Sequence, residues 1–220
     1  MSDPQAQLYL ISPLEVGGSF PDRLERALAA DAEEGVQKGG ALVTAFQFRV
    51  KGVDQHEAAR LADPLQAICT AHDVAFIVND SVSLAKRLDA DGVHLGQNDG
   101  DPKEAREALG REAQIGVTCH ASKHLAMEAG EAGADYIAFG AFFPSTTKAK
   151  APDGERPDLE LIEWWAQLFE IPLVAIGGIT PGNCVPLVTA GADFLAVCGG
   201  VWSGDEVANI RAFREAINAV

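Results

Sequence analysis

Short apolar runs recur along the whole chain, and segments with helical periodicity separate them. Most of these runs are too apolar to be strands with one face in water, so they are typical of a parallel sheet covered by helices. Their alternation with helical segments predicts an α/β fold, a single parallel eight-stranded (β/α)8 TIM barrel over residues 1–220. The predicted strands are 8–12, 41–49, 74–79, 92–96, 114–119, 136–140, 172–178 and 194–200.

The segments between the strands place apolar residues on one face of a helix. This holds for 22–34 and for 56–72, where we expect a kink or break at Pro64. The other predicted helices are 103–109, 121–132, 158–169, 181–190 and 205–219.

The main alternative to a barrel is an open, doubly wound sheet. No glycine-rich dinucleotide motif follows the first strand, because LYLISPLEVGG does not match one. GADYIAFG and GADFLAVCG also read as one unit used twice, and ADGVHLG is a looser third copy. Repeated units of helix and strand favour the closed barrel, and no linker or low-complexity tract divides the chain.

Composition narrows the possible partners and the cell compartment. The formal net charge of −15 disfavours nucleic acid, because so acidic a chain repels phosphate backbones. No apolar stretch reaches the roughly 18 residues of a membrane span, and MSDPQAQLYLISP does not resemble a signal peptide, so we expect a cytoplasmic protein without membrane contact. The four cysteines are far apart, which favours reduced thiols over zinc or disulfides.

Three polar residues alternate with apolar ones at the end of the second predicted strand. Gln47, Arg49 and Lys51 have the two-residue period that puts side chains on one face. On an edge strand this face would simply meet solvent, whereas a closed barrel has no edge and active sites lie at the carboxyl ends of its strands. The pattern therefore predicts an anion site at the barrel mouth.

The next two strands end in amide and carboxylate residues. Asn79 and Asp80 end the third strand, and Asp99 follows the fourth. Two carboxylates without histidine or cysteine partners suit Mg²⁺ shared with a phosphate. The alternatives are that Asp80 caps the helix starting at Ser81 and that Asp99 belongs to an acidic turn.

The fifth strand ends in Thr118, Cys119 and His120. His120 is either an acid or base or a structural hydrogen-bonding group, and the sequence leaves both open. Cys119 has no activating neighbour except His120, so we interpret it as a packed thiol.

The last three strands are followed by loops suited to phosphate. Hydroxyl groups and a lysine come after the sixth strand, and the segment 149–157 after them is a candidate lid. Glycines follow the seventh and eighth strands, where backbone N–H groups bind phosphate in many barrels. The candidate residues are Ser145, Thr146, Thr147, Lys148, Gly178, Cys198 and Gly199. Two anion sites and one Mg²⁺ indicate phosphorylated substrates and a transfer that expels pyrophosphate.

These motifs together resemble the thiamine-phosphate synthase (thiamine-phosphate pyrophosphorylase) family. The resemblance runs over about residues 8–201, in the order QFRVK, VND, DGVHLGQND, GVTCH, FGAFFPSTTK, VAIGGIT and AGADFLAV. It implies a barrel transferase that uses Mg²⁺ to join hydroxymethylpyrimidine diphosphate to thiazole phosphate, releasing pyrophosphate. In this family the bond to pyrophosphate is thought to ionise first, and the thiazole nitrogen then captures the pyrimidine cation.

The resemblance also implies roles for individual residues. Gln47 would contact the pyrimidine, and Thr118 would lie near the same substrate. The catalytic residues would be the cations Arg49, Lys51 and Lys148. The remaining positions fall into three groups: diphosphate binding by Arg49, Lys51, Asn79 and Lys148; Mg²⁺ binding by Asp80 and Asp99; thiazole-phosphate binding by Ser145, Thr146, Thr147, Gly178, Cys198 and Gly199.

The chain departs from the family pattern in places. ISPLEVG stands where a Thr-Asp pair is common, and Cys198-Gly199 replaces a more usual apolar-Ser pair. Two alternatives stay open: a thiazole tautomerase-like paralogue, and a non-catalytic thiamine-phosphate-binding protein. The oligomeric state is also open, with a homo-oligomer as one alternative.

Overall fold

The computed structural model describes residues 6–38, 40–144 and 156–220. Within them, eight parallel strands form a closed barrel in which each strand pairs with the next along the chain. The last strand pairs with the first, and Gln7 lies opposite Phe194 in that closing register. The predicted (β/α)8 barrel is therefore confirmed.

The strands agree with the predicted ones to within a few residues. They are β1 (Gln7–Ile11), β2 (Val43–Phe48), β3 (Ala75–Asn79), β4 (Gly92–Leu95), β5 (Gln114–His120), β6 (Tyr136–Gly140), β7 (Leu173–Ile176) and β8 (Phe194–Val197). The helices are α1 (Phe20–Lys38), α2 (Gln55–Ala71), α3 (Val82–Leu88), α4 (Pro102–Leu109), α5 (Lys123–Glu131), α6 (Leu159–Leu168), α7 (Val185–Thr189), α8 (Gly199–Trp202) and α9 (Glu206–Ile217).

One helix and one strand differ from the prediction. The helix α2 continues through Pro64, so the predicted break there is wrong. Proline removes one hydrogen bond to the carbonyl of residue 60, but both residues are exposed and that carbonyl can bind water instead. The eighth strand was predicted to reach residue 200, whereas it ends at Val197 and the glycines after it begin the short helix α8.

Side chains on the two faces of the strands form two separate apolar clusters. The larger cluster packs the outer face of the barrel against the helices and includes Leu10, Phe46 and Phe139. The smaller cluster lies inside the barrel and includes Tyr9 and Val174. Because side chains alternate between these faces, polar residues on the inner face can only be directed along the barrel interior and towards its ends.

No helix in the described parts of the chain is long and apolar enough to cross a membrane.

Candidate active site

The end of β2 directs its polar residues into the barrel. Ala45, two residues before Gln47, packs in the interior cluster. Gln47 itself is buried, and its amide nitrogen lies 3.1 Å from the hydroxyl oxygen of Tyr9. Arg49 is half-buried and Lys51 is exposed, so the row runs from the interior out to the mouth. Because β2 is paired on both sides in the closed barrel, the edge-strand alternative does not apply.

Ser12, which the sequence analysis did not single out, holds the end of β2 in place. Its fully buried hydroxyl accepts a hydrogen bond from the N–H of Arg49 at 2.9 Å. The same hydroxyl donates to the carbonyl oxygen of Arg49 at 3.1 Å. The N–H of Ser12 donates to the carbonyl of Gln47 at 2.9 Å. One residue after β1 thus anchors the backbone that carries two predicted substrate ligands.

The carboxyl groups of Asp80 and Asp99 meet at the mouth. Burial raises the pKa of Asp80, and the charge of Asp99 and a hydrogen bond with it raise this pKa further. The positive charges of Lys51 and Arg49 lower it. Charges act on a pKa in this way only when they are near the group, so two carboxylates and two cations lie close to one another. They come from three different strand ends. Asn79 ends β3 and is half-buried at the same rim.

The two alternatives for the aspartates have different outcomes. Ser81 caps helix α3, since its hydroxyl accepts from the N–H of Leu84 at 3.2 Å, so the capping role for Asp80 is wrong. Asp80 instead has a positive φ of 66°, and its N–H donates to the carbonyl of His94 at 2.8 Å. Asp99 does close a turn, because its carboxylate accepts from the N–H of Gly96 at 3.0 Å. That bond orients the carboxylate of Asp99, which also forms a hydrogen bond with Asp80.

The pair of carboxylates suits a divalent cation. In the described residues, no group of three or more histidine, cysteine or acidic side chains forms a cage for a metal. Mg²⁺ needs no such cage, because it is commonly bound through one or two carboxylates, water and substrate phosphates. A cation between Asp80 and Asp99 would also offset the repulsion that raises the pKa of Asp80. The residues present therefore fit Mg²⁺.

A network of buried hydrogen bonds links Gln47 to Thr118 across the barrel interior. From Gln47 it continues to Tyr9, whose hydroxyl lies 2.8 Å from that of Tyr136. The hydroxyl of Tyr136 lies 3.1 Å from Nδ1 of His94, and Nε2 of His94 lies 2.8 Å from the hydroxyl of Thr118. We call these five residues the interior network. Its three middle members were missed because each occupies an ordinary strand position.

The other two residues near the end of β5 have different surroundings. Cys119 is fully buried, and its thiol donates to the carbonyl of Val117 at 3.5 Å. Burial raises the pKa of Cys119 to about 12, so the thiolate is not formed near neutral pH and the packed-thiol interpretation is confirmed. His120 is half-buried, with a positive φ of 51°, beside an irregularity in the pairing of β5 with β6. Its catalytic or structural role stays a prediction.

The loop after β7 approaches the loop after β6 closely. Gly178 has a φ of 63°, and a Cβ added there would lie 2.3 Å from the carbonyl oxygen of Pro144. Asn183 holds this loop: its side-chain oxygen accepts from the N–H of Thr180 at 2.8 Å, and its amide donates to the carbonyl of Gly178 at 3.1 Å. Asn183 was also missed, although an amide shortly after a Gly-Gly turn is a usable signal for such a contact.

The loop after β8 completes the same side of the mouth. Gly199 begins α8 rather than ending a strand, so the strand prediction for it is wrong. The thiol of Cys198 lies 3.6 Å from the carbonyl oxygen of Ser12, which directs it toward the end of β1. A Cβ on Gly200 would lie 2.3 Å from the carbonyl of Ile179, so the loops after β7 and β8 pack directly on each other.

The remaining predicted phosphate ligands and most of the candidate lid lie outside the described residues. They are Ser145, Thr146, Thr147 and Lys148, together with 149–155 of the segment 149–157.

The fold and the site together define a class of protein: a barrel enzyme that acts on phosphorylated small molecules. Comparison with known proteins makes the assignment specific. The family model described as thiamine monophosphate synthase matches residues 8–201. The chain belongs to this family, and its activity is that of a transferase, a thiamine-phosphate synthase.

Individual relatives agree with the family match. A thiamine-phosphate synthase of Erythrobacter litoralis is 75% identical over 213 residues, covering 97% of this chain and 96% of the relative. One of Rhodospirillum centenum is 47% identical over 197 residues, covering 90% and 89%. Among solved structures, a thiamine phosphate pyrophosphorylase from Pyrococcus furiosus has a TM-score of 0.79 at 28% identity, covering 98% of this chain and 97% of its own.

Proposed function

We propose that this enzyme joins hydroxymethylpyrimidine diphosphate to thiazole phosphate, with Mg²⁺, and releases thiamine phosphate and pyrophosphate. The observation that carries the detail is the meeting of Arg49 and Lys51 with the Asp80–Asp99 pair at one rim. A cation pair beside two carboxylates is suited to a diphosphate that arrives with a divalent metal. The identity of the relatives named above supports the choice of reaction.

Arg49 and Lys51 would hold the diphosphate, together with Asn79 and with Lys148. When the bond between the pyrimidine methylene and the diphosphate oxygen breaks, negative charge grows on the leaving pyrophosphate. Cations held in place before the reaction stabilise that charge without reorganising. Arg49 is especially well placed for this, because Ser12 fixes its backbone through two hydrogen bonds.

Asp80 and Asp99 would hold Mg²⁺, which when bound would supply further positive charge to the phosphate oxygens of the leaving group. Their placement beside Lys51 and Arg49 would bring the diphosphate to one point of the rim. Asp99 is oriented for this by its hydrogen bond from Gly96.

The thiazole phosphate would bind across the mouth, at the backbone N–H groups after β7 and β8. Asn183 holds both the carbonyl of Gly178 and the N–H of Thr180, so it fixes the loop whose other backbone N–H groups would bind the anion. Because the thiol of Cys198 is directed to Ser12, phosphate binding there would depend on the backbone and on Gly199. The thiazole nitrogen attacks with its lone pair, so no general base is required and His120 is not needed for proton removal.

We also place the enzyme in the cytoplasm. Cys69, Cys119 and Cys184 are buried cysteines, which suits a reducing compartment.

The experiment measures pyrophosphate release by the purified protein with both substrates, with Mg²⁺ and then with EDTA. We expect release only when both substrates and the metal are present. Lys51→Ala should abolish turnover and retain the fold, because an exposed lysine contributes little to packing. Lys86→Ala is the matched control, since Lys86 is an exposed lysine in the last turn of α3, at the opposite end of the barrel. Near wild-type turnover in Lys51→Ala would refute the role of Lys51.

A further inference from the structure

The short helix α8 depends on contacts with the rest of the barrel for its position. It contains four residues, follows β8 directly at the mouth and begins at Gly199. Within it, the N–H groups of Val201 and Trp202 both donate to the carbonyl of Cys198, at 3.1 and 3.0 Å. A single turn of helix is not stable by itself, so α8 must be fixed by groups from other elements.

Two side chains from other helices bind the four successive carbonyl groups of residues 201–204, at the end of α8 and in the turn after it. The side-chain amide of Asn209, in α9, donates to the first and third of them, at 2.9 and 3.3 Å. The guanidinium of Arg23, in α1, donates to the second and fourth, at 2.9 and 3.0 Å. We call Arg23 and Asn209 the α8 clamp. Because the last carbonyls of a helix have no partner within it, the clamp supplies the donors that α8 lacks.

A buried carboxylate orients the arginine of the clamp. Nε of Arg23 donates to Glu206 at 2.9 Å, and Glu206 is 5% exposed. The guanidinium also lies 5.8 Å from the ring centre of Trp202. Arg26, one turn further along α1, donates to the other carboxylate oxygen of Glu206 at 2.6 Å. The two arginines thus share one ion-pair partner, but among the described hydrogen bonds those to the end of α8 come from Arg23.

The position of α8 determines how two parts of the mouth meet. A Cβ on Gly200 would lie 2.3 Å from the carbonyl oxygen of Ile179, so α8 packs directly on the loop after β7. Elsewhere on α8, the indole N–H of Trp202 donates to the carbonyl of Ile11 at 2.7 Å, at the end of β1. A displacement of α8 would therefore move its first residue relative to the loop after β7.

We propose that the α8 clamp positions the thiazole-phosphate site: Arg23 and Asn209 hold α8 so that the backbone at Gly199 and the loop after β7 face the phosphate together. Both are positioning residues, because they bind the carbonyl end of α8, whereas the phosphate would meet the residues at its start. Glycine offers only its backbone to a ligand and has no side chain that could adjust to a displaced helix. The inference rests on the proposed function and assigns positioning residues to one of its two substrate sites.

The test compares wild type with Arg23→Met, which removes the donors and keeps a long apolar side chain beside Trp202. The readouts are kcat, KM for each substrate, and Kd for thiazole phosphate alone, measured by calorimetry. We expect both KM and Kd for thiazole phosphate to rise about tenfold or more, because small displacements of binding groups are costly. KM for the pyrimidine diphosphate should stay nearly unchanged, since its predicted cations lie at the end of β2.

Arg26→Met is the matched control. It also removes one guanidinium partner of Glu206 and one positive charge from α1, but it leaves the hydrogen bonds to the end of α8 in place. KM and Kd for thiazole phosphate should therefore stay unchanged, even if Tm falls. If Arg26→Met weakens thiazole-phosphate binding as much as Arg23→Met does, or if Arg23→Met raises both KM values equally, the inference is wrong.

Asn209→Ala covers the case in which Arg23→Met does not fold. Asn209 is half-buried within α9 and alanine favours helix, so this variant should keep the fold. It removes the donor to Val201 and Ser203 and should show the same selective rise in KM and Kd, whereas unchanged values would overturn the inference. A wild-type protein that binds thiazole phosphate but forms no thiamine phosphate would count against the proposed function, and Kd would still test the clamp.

Discussion

A buried ion pair connects the first and last long helices of the barrel. Asp31 of α1 and Arg214 of α9 are each 3% exposed, and their side chains meet at 2.6 Å. The second carboxylate oxygen of Asp31 accepts from the N–H groups of Leu42 and Val43, at 2.9 and 2.8 Å. Arg214 also donates to the carbonyl of Gly40 at 3.0 Å. The pair therefore holds the start of β2 as well as the two helices.

We predict that Asp31→Asn strongly destabilises the protein. The substitution keeps the size of the side chain but leaves the guanidinium of Arg214 buried beside a neutral amide. Removing one partner of a buried pair costs about 3–5 kcal/mol. For a chain of this size, each kcal/mol lowers Tm by about 2–4 °C, so Tm should fall by about 6–20 °C.

Thermal unfolding followed by circular dichroism, with pyrophosphate release at 25 °C, tests the prediction. Activity per folded molecule should be retained, because no predicted site residue takes part in this pair. Glu57→Gln is the control, since Glu57 pairs with Arg60 at 2.7 Å in an exposed setting and should leave Tm nearly unchanged. Adding Arg214→Met should recover part of the loss. If Asp31→Asn lowers Tm no more than Glu57→Gln does, the assignment of stability to this pair is refuted.

Three further predictions concern the pH dependence of stability and two loops at the mouth. Burial raises the pKa of Glu206, but hydrogen bonds from Arg23 and Arg26 outweigh it and hold this pKa below its usual value. The ionised Glu206 therefore stabilises the folded protein above the unfolded-state pKa, about 4.3, and this stabilisation is lost as pH falls through the folded-state pKa. The difference in Tm between wild type and Glu206→Gln should accordingly shrink below about pH 4. Gly178 has a left-handed conformation, and Gly178→Ala would force a Cβ against the carbonyl of Pro144. KM for thiazole phosphate should therefore rise about tenfold, while KM for the pyrimidine substrate stays constant. Equal changes in both KM values would contradict the assignment of this loop to the thiazole phosphate. Ser12→Ala removes the hydroxyl that accepts from the N–H of Arg49, so the free energy of unfolding in a denaturant titration should fall by about 1–3 kcal/mol. The value of kcat/KM should fall as well. An unchanged kcat/KM would argue that Ser12 does not position Arg49.

The sequence was sufficient for the barrel and for the positions at its mouth. Strand and helix periodicities are local properties, so the eight alternating units could be counted without knowing their contacts. The same locality explains why Gln47 and Arg49 could be assigned to one face of β2. The errors were local as well. The helix α2 continues through Pro64 because the lost hydrogen bond faces water, and the predicted eighth strand was too long because the glycines after Val197 belong to α8.

Contacts between strands could not be read in this way. Tyr9, His94 and Tyr136 stand on three different strands, and nothing near them in sequence distinguishes them from other buried positions. Likewise, the choice between Asp80 and Ser81 as the cap of α3 depended on which side chain reached the N–H of Leu84.

The sequence by itself determined the fold class, the polar residues at the strand ends and the family to which they belong. Only the tertiary structure decided which of those residues meet, because closure of the barrel sets the register that brings strands distant in sequence into contact. That closure placed Asp80 beside Asp99, anchored Arg49 on Ser12, and joined Gln47 to Thr118 through residues that the linear pattern does not connect.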